Sequence, residues 1–215
     1  VGDITEGEIM PKLGFLKNWK KKNITFPPLP IPPTAANNNK QIYLVDKYKA
    51  AQSEIRIGMV GQKYDWNGNY FKTNAMNFPL GGNFNSRLNL NLREDKGFTY
   101  GIRSMNYGYK DRVGAYQIAT GVRTSATDSA MKEIMSEVTN YAENGITDEE
   151  MKFMKNSITQ SDALRYETTF QKAGFLNRLI EYNLPKDYIK QQNDILNSLS
   201  KEELNRLAKE ILQTD

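Results

Sequence analysis

A chain of 215 residues with 39% hydrophobic and 11% aromatic content can bury one sizeable core. A mean hydropathy of -0.66, with no apolar run near the roughly 18 residues that a spanning helix needs, excludes an ordinary membrane span. The 29 basic residues are interspersed among 25 acidic ones, which argues against nucleic acid as a partner, and the absence of His and Cys removes disulfides, the usual transition-metal ligands and the Ser-His-Asp and Cys-His catalytic arrangements.

Val1-Gly2-Asp3 reads as the end of a strand, and Val1 to Met10 carries no targeting pattern. Thr5 and Glu8 form a capping box for a helix whose apolar face is Ile9, Leu13, Leu16 and Trp19, with Lys20, Lys21 and Lys22 at its C-terminal end. Phe26 to Pro33 holds five of the eight prolines and reads as an extended arm, continued as a loop over Ala35 to Lys40. Gln41 to Asp46 and Glu54 to Val60 are predicted strands, the second alternating Ile55, Ile57 and Met59 against a wet face.

Asn67 to Asn77 is a predicted helix, closed by Pro79. Leu80-Gly81-Gly82 is a sharp break into a second helix with Phe84, Leu88 and Leu92 at successive fours, ended by Gly97. Phe98 to Tyr109 and Val113 to Val122 then read as antiparallel strands. The rest is helical. A stripe from Met131 to Ala142 stops at Gly145, and Thr147 with Glu150 caps a helix running to about Glu167, with Ile146 and Met151 as a staple. Phe170 to Tyr182 is another helix; Pro185 occupies a first helical position, and Ser200 with Glu203 caps the last helix, which turns Leu204, Leu207, Ala208 and Ile211 inward. Strands in the first 125 residues followed by a run of helices predict one α+β domain over 1–215, a two-layer sandwich of mostly antiparallel sheet covered by helices.

No metal-binding helix motif, phosphate loop or nucleophile elbow is present. The acidic clusters Glu94-Asp95 and Asp148-Glu149-Glu150 fall at helix ends, where the dipole and solvation account for them. The segment with an unusual density of specific choices is Leu80 to Gly101, LGGNFNSRLNLNLREDKGFTYG. Its order of Leu-Gly-Gly, Ser-Arg-Leu and Asn-Leu-Arg-Glu-x-Lys-Gly-x-x-Tyr-Gly resembles the second-domain signature of the pitrilysin/insulinase zinc peptidases, mitochondrial processing peptidase among them. Val1 to Ile4, Tyr43 to Lys47, Gln52 to Gly58, Gly145 to Glu150, Leu184 to Tyr188 and the closing Leu199 to Leu212 helix resemble the same family, so the likeness runs along the whole chain.

The resemblance implies a division of labour. In this family one domain holds zinc through an inverted His-x-x-Glu-His motif, and another supplies an Arg and a Tyr seven residues apart, the spacing of Arg93 and Tyr100 here. A guanidinium and a phenol can donate to a peptide carbonyl and to the oxyanion formed when water attacks it. The residues alone also allow a structural role, with Arg93 at a helix end and Tyr100 as a half-buried sheet residue. Gly81, Gly82 and Gly97 are read as structural parts of the motif, and no catalytic or metal-binding residue is expected within this chain. The implied partners are a zinc-bearing domain or subunit of the same family and a peptide or unfolded polypeptide substrate. The alternative is a non-catalytic interaction module, like the core subunits of respiratory complexes that resemble this fold. Family domains continue with another strand where this chain stops at Gln213-Thr214-Asp215, so the resemblance implies a piece of a longer protein with an open sheet edge that invites self-association. Bacterial members of the family suggest a periplasmic location, a cytoplasmic one being the other option.

Overall fold

The structure is a computed structural model and describes residues 2–25, 27, 40–164 and 166–212. The reading of Val1, most of the proline arm, the loop over 35–39 and the last three residues lies outside the described residues. In chain order the elements are α1 (Glu6–Lys12), a 3-10 turn (Gly14–Asn18), β1 (Gln52–Val60), α2 (Asn69–Asn77), the short α3 (Arg87–Asn89), β2 (Ile102–Asn106), β3 (Ala115–Arg123), α4 (Thr127–Asn144), α5 (Asp148–Leu164), α6 (Thr169–Tyr182), α7 (Tyr188–Ser198) and α8 (Lys201–Leu212). The class is α+β, as expected. The chain divides into two compact units, residues 1–30 with 160–186, and residues 31–159 with 187–215.

In the smaller unit, Thr5 and Glu8 make the expected cap, the Thr5 N–H donating to Glu8 Oε2 at 2.8 Å. The apolar face predicted over Ile9 to Trp19 is not buried: α1 buries no residue and Trp19 is 75% exposed. Pro11 lacks the N–H that an α-helix needs, and the chain tightens to 3-10 geometry from Gly14, so no i, i+4 stripe continues. Helix α6 opens on a second reciprocal cap, the Gln171 N–H donating to Thr168 Oγ1 at 3.2 Å and the Thr168 N–H to Gln171 Oε1 at 2.8 Å. It closes at Asn183, a left-handed residue at φ 49°.

The larger unit is built on a three-stranded antiparallel sheet in the order β1-β3-β2. Ile55 faces Thr120, Ile57 faces Ile118 and Met59 faces Tyr116, so the period-2 alternation of both strands puts these side chains on one face. That face shares the core with Ala75 and Met76 of α2 and Ile134, Val138 and Tyr141 of α4, and α8, with Leu204, Leu207 and Ala208 buried, packs on α2 and α4. Gly145, at φ 72°, ends α4. Thr147 and Glu150 then cap α5 reciprocally at 2.8 and 3.2 Å. Ser200 Oγ accepts from the Glu203 N–H at 3.2 Å to open α8.

Four expectations are corrected. Gln41 to Asp46 pairs with no strand, and Ile42, Tyr43, Leu44 and Val45 are each more than 80% exposed; a strand requires a partner ladder, which alternation alone does not supply. The strand predicted over Phe98 to Tyr109 is confined to Ile102–Asn106, because the backbone at Thr99 to Gly101 is held by the Thr99 hydroxyl rather than by a neighbouring strand. Pro185 is not a first helical residue: α7 starts at Tyr188 behind Asp187, whose side chain and carbonyl both engage Gln191, at 3.0 and 3.1 Å. Phe84 lies outside any helix, because Asn83 before it sets a turn.

Candidate functional site

The signature segment begins where α2 widens into a π-type turn over Phe78–Gly82. A Cβ on Gly81 would stand 2.3 Å from Ser104 Oγ and 2.9 Å from Ser104 N, so only a glycine lets this backbone lie against β2. At Gly82 a Cβ would stand 3.1 Å from the Asn77 carbonyl, close but less prohibitive than at Gly81. Asn83 then sets a turn instead of continuing the helix. Its Nδ2 donates to the Phe78 carbonyl at 2.6 Å and its Oδ1 accepts from the Asn85 N–H at 2.7 Å. Phe84 is therefore held at the tip of a pinned turn and is 63% exposed, whereas Leu88 and Leu92, the other two members of the predicted stripe, are fully buried. Asparagine competes with the helix by offering the backbone local hydrogen bonds, which the apolar spacing does not register.

Past α3 the backbone again adopts π-type bonding over Leu90–Asp95. The Lys96 N–H donates to the Asn91 carbonyl at 2.9 Å, and the Phe98 N–H reaches back to the Leu92 carbonyl at 2.9 Å across Gly97. Gly97 has φ 61°, the left-handed conformation that such a helix end requires. The Thr99 hydroxyl, with its one proton, lies 2.8 Å from the Gly121 carbonyl and 3.0 Å from the Gly101 carbonyl, and it accepts from the Gly101 N–H at 3.1 Å. This knot fixes the backbone on either side of Tyr100 and projects its ring into solvent, 94% exposed. The half-buried sheet position that the residues alone allowed for Tyr100 does not occur.

The two arginines of the segment are used in opposite ways. Arg87 grips Glu150 through two hydrogen bonds of 2.6 and 2.7 Å, donates to the Gly145 carbonyl at 2.9 Å and lies 4.7 Å from the Tyr141 ring centroid. Burial acts against its charge, but the hydrogen bonds and field of Glu150 outweigh that and raise its pKa. Burial likewise acts to raise the Glu150 pKa, and the Arg87 and Thr147 donors more than offset it, leaving the carboxyl below its usual value. Arg93 has no such clamp. Its guanidinium lies 4.3 Å from the Phe84 ring centroid and its NH1 is 2.8 Å from Glu94 Oε1, at an angle outside hydrogen-bond geometry. Arg93 thus makes no hydrogen bond with its guanidinium among the described residues; NH1 itself is buried beside Glu94, while the side chain as a whole is about one-third exposed. No hydrogen bond or ring contact joins Arg93 to Tyr100.

The residues do not fit a resident metal. The sequence has neither His nor Cys, and among the described residues no group of three or more Asp or Glu is placed to hold an ion. No helix among them is long and apolar enough to cross a membrane.

Against known proteins, the family described as the peptidase M16 inactive domain matches residues 1–158. The chain belongs to that family. It is the second-domain type of the pitrilysin/insulinase peptidases, as the signature segment implied. A Bacillus subtilis protein described as "uncharacterized zinc protease YmxG" is 26% identical over 175 residues, covering 80% of this chain and 42% of that protein. An "uncharacterized zinc protease" of Streptomyces coelicolor is 28% identical over 131 residues, covering 61% of this chain and 28% of its own length. The chain therefore spans less than half the length of the curated relatives it matches. A crystal structure of a peptidase M16 inactive domain from Pseudomonas fluorescens is similar in fold, with a TM-score of 0.67 at 23% identity over 77% of this chain and 39% of that one.

Two contributors to this M16 segment escape a reading by spacing. Phe84 fits the apolar stripe by position, and the signal against it is its place between Asn83 and Asn85 directly after a Gly-Gly break. Thr99 carries no motif of its own and matters only because β3 brings the Gly121 carbonyl within its reach.

Proposed function

We propose that this M16 domain is the substrate-side, zinc-free domain of a metalloendopeptidase, with Arg93 and Tyr100 binding the peptide backbone opposite a zinc-bearing domain or subunit. The observation that carries the reading is that Arg93, ion-paired to Glu94 through NH1 but hydrogen-bonded to no described residue, lies beside an exposed aromatic ring in the signature segment that also projects Tyr100 into solvent. A guanidinium and a phenol are suited to a carbonyl oxygen that gains charge as it is attacked. Zinc, when bound in the partner domain, would supply the activated water; this chain's part is to hold and polarise the peptide.

In the assembled peptidase, Tyr100→Phe removes one hydroxyl from a fully exposed side chain and should lower kcat/KM about ten- to a hundred-fold, from about 1.5 to 3 kcal/mol of lost transition-state hydrogen bonding. Arg93→Ala should cost at least as much, and the double variant should fall short of the product of the two. Zinc content and Tm should remain at wild-type values. If both single variants keep wild-type kcat/KM, or if activity falls only in step with Tm, the two residues are structural.

A further inference from the structure

Phe84 is a large apolar side chain that the fold holds rigidly in water without burying it. Asn83 pins the preceding backbone to Phe78 and the following backbone to Asn85, and the Asn83 carbonyl accepts from Asn89 Nδ2 at 3.2 Å. An exposed phenylalanine gains nothing from the hydrophobic effect there, and its turn is fastened by three side-chain hydrogen bonds. What the ring touches is the Arg93 guanidinium, 4.3 Å from its centroid. A guanidinium stacked on an aromatic face is attracted by the ring quadrupole and keeps its in-plane N–H fork free, whereas one held by a carboxylate directs that fork at its partner, as Arg87 does toward Glu150.

We infer that Phe84 is a positioning residue that holds the Arg93 guanidinium in place for the substrate backbone. This rests on the reading of Arg93 as a substrate ligand. Stacking restricts a side chain with four rotatable bonds without engaging its hydrogen bonds, so less freedom is lost when the peptide binds. Glu94, already ion-paired with NH1 at 2.8 Å but outside hydrogen-bond geometry, is the competing partner that would hold the guanidinium by hydrogen bonds if the ring were absent.

The test compares Phe84→Leu, which keeps apolar bulk and removes the π face, with Phe84→Tyr, which keeps the face. In the assembled peptidase Phe84→Leu should lower kcat/KM about three- to ten-fold and Phe84→Tyr should remain within about two-fold of wild type, both with unchanged Tm. Added to Arg93→Ala, Phe84→Leu should have no further effect, because the residue it positions is gone. In the 215-residue chain by itself, the Arg93 Nε–H proton should resonate upfield through the ring current of Phe84, and Phe84→Leu should return it to the position of free arginine. Wild-type activity in Phe84→Leu beside a strong loss in Arg93→Ala overturns the positioning role and leaves the Arg93 reading intact. Wild-type activity in Arg93→Ala overturns the substrate-site reading, and an Arg93 resonance already at the free-arginine position overturns the stacking itself.

Discussion

The two edges of the sheet end in different ways. In β2 the outward-facing backbone groups belong to Ile102, Ser104 and Asn106, since the Tyr107 N–H bonds inward to the Ala115 carbonyl at 2.8 Å and the pairing alternates from there. Each of the three is met by a side chain. Asn89 accepts from the Ile102 N–H at 3.1 Å and donates to its carbonyl at 2.8 Å, Asn77 Nδ2 donates to the Ser104 carbonyl at 2.9 Å, and the Tyr70 hydroxyl donates to the Asn106 carbonyl at 3.0 Å. In β1 the Thr124 N–H bonds to the Ala51 carbonyl and the Gly61 N–H to the Gly114 carbonyl, which turns the backbone of Gln52, Glu54, Arg56, Gly58 and Val60 outward. None of these groups has a partner among the described residues. One edge is capped by side chains in place of a strand; the other is blunted only by the charges of Glu54 and Arg56 on its wet face.

The capping of β2 also ties the fold to the site. Asn77 lies at the end of α2, where its Oδ1 additionally accepts from the Tyr116 hydroxyl at 2.6 Å and from Ser104 Oγ. Asn89 ends α3, between Phe84 and Arg93. The substrate-side segment is thus fastened to the sheet through polar side chains as well as through Leu88 and Leu92, and burial pushes the Tyr116 and Tyr141 phenols well above their usual pKa.

Uncapping β2 should produce the largest effect. Asn89→Ala leaves both the N–H and the carbonyl of Ile102 buried without partners, at about 1 to 3 kcal/mol each, so denaturant unfolding of the chain should show a loss of about 3 to 5 kcal/mol. A loss below about 1 kcal/mol would mean that water serves the edge equally well and that Asn89 is no substitute strand. The opposite edge should behave differently. Glu54→Pro removes an N–H that already faces outward, so stability should fall by no more than about 1 kcal/mol. In sedimentation at high concentration, any self-association of the wild-type chain should disappear in that variant; association that persists undiminished places the contact away from β1.

The smallest effect tests how firmly α3 is held. Glu150 has a lowered pKa in the fold, so its contribution is fully present above the ordinary value of 4.5 and is lost as pH falls through the lower folded value. Because the pair is partly open to solvent, the loss should be under about 1 kcal/mol. Glu150→Gln should flatten this part of the stability-pH profile; a profile identical to wild type would show that the Arg87 clamp contributes nothing to holding α3.

Much of the helical framework is legible in the order of the residues. Thr147 with Glu150 and Ser200 with Glu203 cap where their spacing places them, and the apolar stripes of α4 and α8 are buried as expected. Arg93 and Tyr100 are legible only through the family pattern, since nothing in their spacing separates a donor pair from a helix end and a sheet residue. Phe84 escapes such a reading because it keeps the apolar period while Asn83 breaks the helix, and nothing local distinguishes Asn77 and Asn89 from ordinary polar helix positions.

The division follows the range of the interactions. Capping boxes, apolar periods, the absence of His and Cys and the left-handed glycine after Asp95-Lys96 depend on neighbours within a turn or two, so they can be read from the chain alone. Which edge of the sheet is capped, which arginine is clamped by hydrogen bonds and which is not, and that Gln41 to Asp46 stays unpaired depend on groups brought together from far along the chain. These are settled by tertiary packing, because a hydrogen bond between residues such as Asn77 and Ser104 exists only after the backbone between them has closed.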